Sequence, residues 1–188
     1  MKNIALFASG SGTNVENIVN YFENKHQTNH YVILVNKPNA KIIEKAEKRG
    51  LEVIIFDKVD LEGGKVAEKL AEFKPDLIVL AGFLWKFPEE LVKIYPNKII
   101  NIHPALLPKY GGKGMYGMNV HNAVVANKEK ETGITIHFVN EQYDEGAIIF
   151  QAETEVESHF SAEDVAKAVQ VLEHRYFPEV IDKLLSSN

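Results

Sequence analysis

Short apolar runs alternate with helix-spaced segments from the first residues of this chain, and no other feature narrows its fold so far. Ile4–Ala8, Tyr31–Val35, Val53–Phe56, Leu77–Ala81 and Lys98–Ile102 are rich in Ile, Val and Phe and have the length of buried strands. The first three are each followed by a segment whose apolar residues recur every three or four positions: Val15–Phe22, Ile42–Arg49 and Val66–Phe73. Strands joined through helices lie parallel, with the helices packed on both faces of the sheet. The expected fold is therefore α/β, with a Rossmann-like, mainly parallel sheet. The pattern changes after Lys130. Thr132–Val139 and Ala147–Glu155 are joined by Asn140–Gly146, too short for a crossover helix, so they are expected to form an antiparallel C-terminal pair. A long amphipathic helix closes the chain, with Ser161 as N-cap, Asp164 at the third helical position, and Val165, Val169, Leu172 and Tyr176 as its buried stripe.

Composition bounds the function more by exclusion. A chain of 188 residues, 45% hydrophobic, is expected to be one domain over residues 1–188, able to bury about 70% of its unfolded surface. The net charge of −5 and the dispersed Lys and Arg residues offer no basic run to follow a phosphate backbone or an anionic surface, so neither nucleic acid nor membrane is expected as a partner. With no cysteine, disulfides, thiolate chemistry and Cys-type zinc sites are ruled out. The opening run Ile4–Ala8 is shorter than the about 7–15 residues of a signal peptide core or the about 20 of a membrane span. A cytoplasmic protein is expected.

Candidate chemistry gathers where strands end. Asn101-Ile-His-Pro104 follows an apolar strand-like run, and open α/β sheets bind ligands outside the carboxyl ends of their strands. Asn101 offers an amide to a polarised carbonyl. His103 carries the side chain whose ordinary pKa, about 6.5, suits proton transfer near neutrality. Pro104 and Pro108 keep the segment beyond from becoming helical. His137 alternates within a strand and reads as structural, while His26 and His30 lie in a polar connection. Ser9-Gly-Ser-Gly-Thr-Asn14 precedes a helix and either cradles a phosphate or makes a tight turn with a Ser/Thr cap; the third glycine of a dinucleotide fingerprint and a Walker lysine are missing. Asp144, just before Gly146, is an ordinary turn former. Trp85, after the fourth strand, lines a slot for a flat ring or belongs to the core. Gln170 and Glu173 share a helix face, where solvated side chains are the default.

Two stretches, Asn101-Ile-His-Pro-Ala-Leu-Leu-Pro108 and Gly133-Ile-Thr-Ile-His-Phe-Val-Asn-Glu-Gln-Tyr-Asp-Glu-Gly146, resemble active-site segments of the folate-dependent formyltransferases, in the same order. The resemblance extends over nearly the whole chain to the members acting on glycinamide ribonucleotide. It implies 10-formyltetrahydrofolate as cosubstrate, glycinamide ribonucleotide as acceptor, no metal, and a monomer or homodimer. Asn101, His103 and Asp144 would be catalytic. An ionised Asp144 would raise the pKa of His103 and orient its ring. Gly12, Thr13 and Asn14 would hold the substrate phosphate, and Gln170, Val171, Leu172 and Glu173 its sugar and glycinamide, with Glu173 on the ribose hydroxyls. Leu84, Trp85, Lys86 and Phe87 would line the pterin pocket, together with Asn101, Asn140, Glu141, Gln142, Tyr143 and Asp144.

The chain departs from the family in two places. Lys58 stands where an arginine is usual and would contact the folate in its place, although a lysine cannot make the bidentate contact. The loop Tyr110–Val120 is longer and richer in glycine than its usual counterpart, and would suit a mobile lid. The resemblance also extends to methionyl-tRNA formyltransferase, which adds a C-terminal RNA-binding domain, and to formyltetrahydrofolate hydrolase, which adds an N-terminal regulatory module. No trace of either addition is read in this chain. A non-enzymatic nucleotide-binding module would use the Ser9–Asn14 loop but leave Asn101, His103 and Asp144 without purpose.

Overall fold

In the computed structural model, which describes residues 1–187, the elements run β1 (Asn3–Ala8), α1 (Thr13–Asn24), β2 (His30–Val35), α2 (Lys41–Lys48), β3 (Glu52–Ile55), α3 (Lys58–Glu62), α4 (Lys65–Phe73), β4 (Leu77–Leu80), α5 (Glu89–Ile94), β5 (Ile99–His103), α6 (Met118–Ala126), β6 (Glu131–Phe138), β7 (Ile148–Glu155) and α7 (Ala162–Ser186). One sheet takes them all, in the order β3-β2-β1-β4-β5-β6-β7. Strands β1 to β5 pair in parallel, β6 is antiparallel to β5, and β7 is antiparallel to β6. The expected α/β architecture is the one found. Among the described residues no helix is long and apolar enough to cross a membrane.

The near-continuous apolar character of β1 follows from its position in the middle of the sheet. Ile4, Leu6 and Ala8 join a core on one face with α1, α2 and α7, while Ala5 and Phe7 join a second core with α3, α4 and α5. A strand covered on both faces has no reason to alternate with polar residues. Phe7 meets Phe56, Phe83 and Phe87 edge-on at 5.8, 5.4 and 5.2 Å; deleting such a ring costs about 3–5 kcal/mol.

Strand order reverses between β1 and β4, which opens the ligand crevice of this architecture at their carboxyl ends. Two hydrogen bonds tie the loops there together: Ser9 N–H donates to the Gly82 carbonyl at 3.1 Å, and Leu84 N–H donates to Ser9 Oγ at 3.0 Å. Helix α7 begins as expected, with Ser161 and Asp164 capping one another reciprocally. Val165 and Val169 are buried, and Leu172 and Tyr176 are half-buried against the same core. Three short helices exceed the sequence reading. Lys58-Val59-Asp60, read as a connection, opens α3 under a capping box between Asp57 and Asp60. Helix α5 follows the loop after β4. Helix α6 starts at Met118, so the glycine-rich loop ends before the expected Val120.

Candidate active site

Asn101 and His103 are two residues apart on β5 and so share a face of the sheet. The antiparallel partner β6 sets His137 opposite Asn101 and Thr135 opposite His103. Thr135 uses its full hydroxyl capacity on the turn that follows His103. Its Oγ1 donates to the Ala105 carbonyl at 2.7 Å and accepts from Leu107 N–H and Gln151 Nε2, both at 2.9 Å. The backbone just past the histidine is thus pinned to β6 and β7.

His103 is 3% exposed. Its Nε2 lies 2.7 Å from the Tyr110 carbonyl, which can only accept, so Nε2 carries hydrogen. Its Nδ1 lies 3.5 Å from Asp144 Oδ2. Burial penalises the imidazolium and holds the pKa below the usual histidine value; the Asp144 charge and the Tyr110 carbonyl pull it back up, His137 opposes them, and burial prevails. The expected upward shift from Asp144 is present but is outweighed by desolvation.

Asp144 is both a turn former and a member of this cluster. Its backbone is left-handed, with φ of 56°, a conformation that aspartate tolerates better than most residues. At neighbouring Gly146 a Cβ would fall 1.6 Å from the Phe138 carbonyl oxygen, so the turn admits no side chain there. The carboxylate accepts from Gly112 N–H at 2.9 Å and lies 3.7 Å from His137 Nε2. Burial alone would raise its pKa, but the imidazolium forms of His137 and His103 and the Gly112 N–H together bring it below the ordinary carboxylate range. Asp144 is therefore an anion at neutral pH. His137, read from alternation as structural, stands inside the cluster, with Nε2 3.2 Å from Asn101 Nδ2.

These groups face a cavity of about 520 Å³. Asn14 of α1 and Glu173 of α7 also line it, bound to one another by Asn14 Nδ2 donating to Glu173 Oε2 at 2.9 Å. Burial pushes the Glu173 carboxyl up, against the pull of Asn14. Gln170 Nε2 reaches Thr13 Oγ1 at 3.4 Å, so both predicted substrate segments meet where α1 starts. The N-cap of α1 is Gly12, in place of a capping Ser or Thr. With φ of 69° and Ile42 Cδ1 only 2.4 Å from any added Cβ, it cannot carry a side chain. No side chain caps the helix, leaving its first N–H groups for another acceptor. Gly12, Thr13, Gln170, Val171 and Leu172 lie off the cavity wall: Val171 is 66% exposed and Leu172 packs on the core.

Leu84, Trp85, Lys86, Asn140, Gln142 and Tyr143 line the cavity, whereas Glu141 is exposed and lies off it. Phe87 touches the cavity but is mainly a core residue against Phe7. Trp85 is half-buried and meets Phe56 and Phe83 edge-on, each at 6.2 Å. Lys58 lies apart from the cavity, in an adjoining groove shared with Trp85 and Tyr143, and pairs with Glu62 at 3.6 Å. His121 of α6 also lines the cavity, its Nδ1 buried without a partner, and burial holds its pKa down. Its helix was absent from the sequence reading, so no signal placed it there.

A buried histidine between an anion and a carbonyl, an amide beside it, and a helix start open to an acceptor define a site for proton-coupled transfer of a small group. The chain belongs to the formyl transferase family, which it matches over residues 2–181. It is 38% identical over 187 residues to the chloroplastic phosphoribosylglycinamide formyltransferase of Arabidopsis thaliana, a match covering 96% of this chain and 64% of that protein. This chain thus spans less than two thirds of the plant relative. It is 36% identical over 194 residues to the phosphoribosylglycinamide formyltransferase of Bacillus subtilis (strain 168), covering 100% of this chain and 97% of the relative. Among solved structures, glycinamide ribonucleotide transformylase 1 from Symbiobacterium toebii is similar with a TM-score of 0.90 and 29% identity, over 100% of this chain and 89% of that one.

Proposed function

We propose that this chain, acting as one domain in the cytoplasm, transfers the formyl group of 10-formyltetrahydrofolate to the primary amine of glycinamide ribonucleotide, a step of purine biosynthesis. The observation that carries the reading is the gathering of Asn101, His103 and Asp144 on one cavity that also reaches Asn14 and Glu173. With no cysteine to act as a covalent carrier, the amine attacks the formyl carbon directly. A tetrahedral oxyanion develops, and the donors for it are the Asn101 amide and His103 Nε2–H, once that hydrogen leaves the Tyr110 carbonyl. The attacking amine loses a proton and the departing folate nitrogen gains one. A neutral His103 accepts the first, and the Asp144 anion beside Nδ1 stabilises the imidazolium that results; the same ring, with a water, then supplies the second.

The uncapped start of α1 at Gly12, Thr13 and Asn14 would take the substrate phosphate. Glu173 would take the ribose hydroxyls, with Gln170, Val171 and Leu172 flanking the sugar and glycinamide. Residues 84–87 and 140–144 would enclose the pterin, and Lys58 offers the folate a single cation in the adjoining groove. The test is an absorbance assay for deformylated folate, with glycinamide ribonucleotide supplied or omitted. Turnover that needs the ribonucleotide supports the reading. Turnover without it indicates a hydrolase, and no turnover favours a binding module.

A further inference from the structure

We propose that His137 is a positioning residue for the transfer, holding the Asn101 amide so that its nitrogen is presented as a donor; this rests on the functional reading just given. The argument begins at the Phe138 carbonyl, 2.9 Å from His137 Nδ1. A carbonyl offers only lone pairs, so Nδ1 must carry hydrogen. In the neutral ring Nε2 is then a bare acceptor, and Asn101 Nδ2 lies 3.2 Å from it. Turning the amide over would bring its oxygen against that lone pair, a repulsive encounter. The amide is thus held with nitrogen towards the ring, leaving its second N–H for the cavity that Asn101 lines. Among the described residues His137 is the only side chain bonded to that amide.

His137 is 2% exposed and stands directly across the β5–β6 ladder from Asn101. Freed from it, the amide would spend part of its time with oxygen facing the developing oxyanion, where it repels instead of stabilising. Loss of one oxyanion donor typically lowers the rate roughly 10²–10³-fold, so an amide that is misdirected only part of the time implies about 10–100-fold.

The test compares His137→Leu, His137→Gln, Asn101→Ala and the double variant His137→Leu/Asn101→Ala. Leucine is expected to lower kcat about 10–100-fold, with KM for both substrates within about twofold. Glutamine, whose Oε1 can stand in for the Nε2 acceptor, is expected to restore most of the rate. Asn101→Ala should add little in the leucine background, because His137 acts through Asn101. Additive losses, a glutamine variant no better than leucine, or an effect confined to KM would overturn the assignment. If the leucine variant does not fold, ¹⁵N resonances of the wild-type ring decide: the Nδ1–H tautomer is expected, and Nε2–H overturns it. A wild type inactive with both substrates sinks the functional reading itself, a failure that the ring resonances separate from an error about His137.

Discussion

His103 stands 3.5 Å from an anion and yet titrates below a free imidazole, because burial outweighs the attraction. Removing the ring altogether, in His103→Ala, is expected to lower kcat roughly 10²–10⁴-fold, the range for a positioned acid or base. Folate affinity measured by calorimetry should change little; near-full turnover would leave the residue a structural role only. Asp144→Asn separates charge from turn geometry. Asparagine also tolerates the left-handed backbone at this position, so the turn should survive and the melting temperature should fall only slightly, by what the depressed carboxylate contributes. The Asp144 charge raises the His103 pKa, so its loss should move that pKa further down, with turnover falling about tenfold or more. NMR titration of the ring is the check: an unchanged or raised pKa refutes the coupling, and a collapsed melting temperature makes Asp144 a turn residue first. Asn101 and His103 were legible in the sequence because an apolar strand ending in a polar pair is a local signal. His137 was not. Period-two alternation tells which side of a strand a residue faces, but what stands across from it depends on the β5–β6 register, which joins distant parts of the chain.

The elements were legible in proportion to how far their signals repeat. Helix α7 carries a capping box and several turns of stripe, and its start was read from the sequence. Helix α3 has a capping box of its own at Asp57 and Asp60, but it ends within five residues, too few for a periodic pattern to emerge. The joint between α1 and α7 was read only as two separate binding segments; Asn14, Asn17 and Tyr21 on α1 reach Glu173, the His174 carbonyl and Asp182 on α7. Glu173 is the costly member of that joint. Its pKa is raised by burial, so the folded state binds protons more readily than the unfolded chain, and stability falls as pH rises through the folded value. Glu173→Gln removes that cost while keeping a partner for Asn14. It is expected to raise the melting temperature at neutral pH and to weaken the ribonucleotide in calorimetric titration, leaving folate affinity unchanged. A lower melting temperature would mean that the carboxylate stabilises the joint, and a selective loss of folate would reverse the assignment of the two ligand regions.

At the scale of the whole molecule, β–α alternation announced a parallel sheet, but not its order, because nothing local says that β4 lies beside β1 or that β6 closes against β5. Packing helices on both faces has a further consequence. It desolvates His103, His121 and His174, and burial holds all three below the ordinary histidine value. In the unfolded chain they protonate near about 6.5, whereas in the folded protein they stay neutral to lower pH. Between those values the unfolded state binds more protons, so stability is complete above the ordinary histidine range and is lost as pH falls through the folded values. Each pKa unit of depression corresponds to about 1.4 kcal/mol. Asp144, also depressed, acts in the same direction, but its window lies lower, below the ordinary carboxylate pKa. Glu173, raised by burial, acts in the opposite direction, its contribution to stability returning as pH falls through its folded value. The melting temperature is therefore expected to be level above about pH 7 and to begin falling below about 6.5, before the carboxylates titrate. His121→Gln, which removes one of the three imidazoles, should make that fall shallower, as differential scanning calorimetry across the range would register. A melting temperature that stays level down to about pH 5 would mean that these histidines protonate alike in the folded and unfolded states, and a His121→Gln profile parallel to the wild type would mean the same of His121.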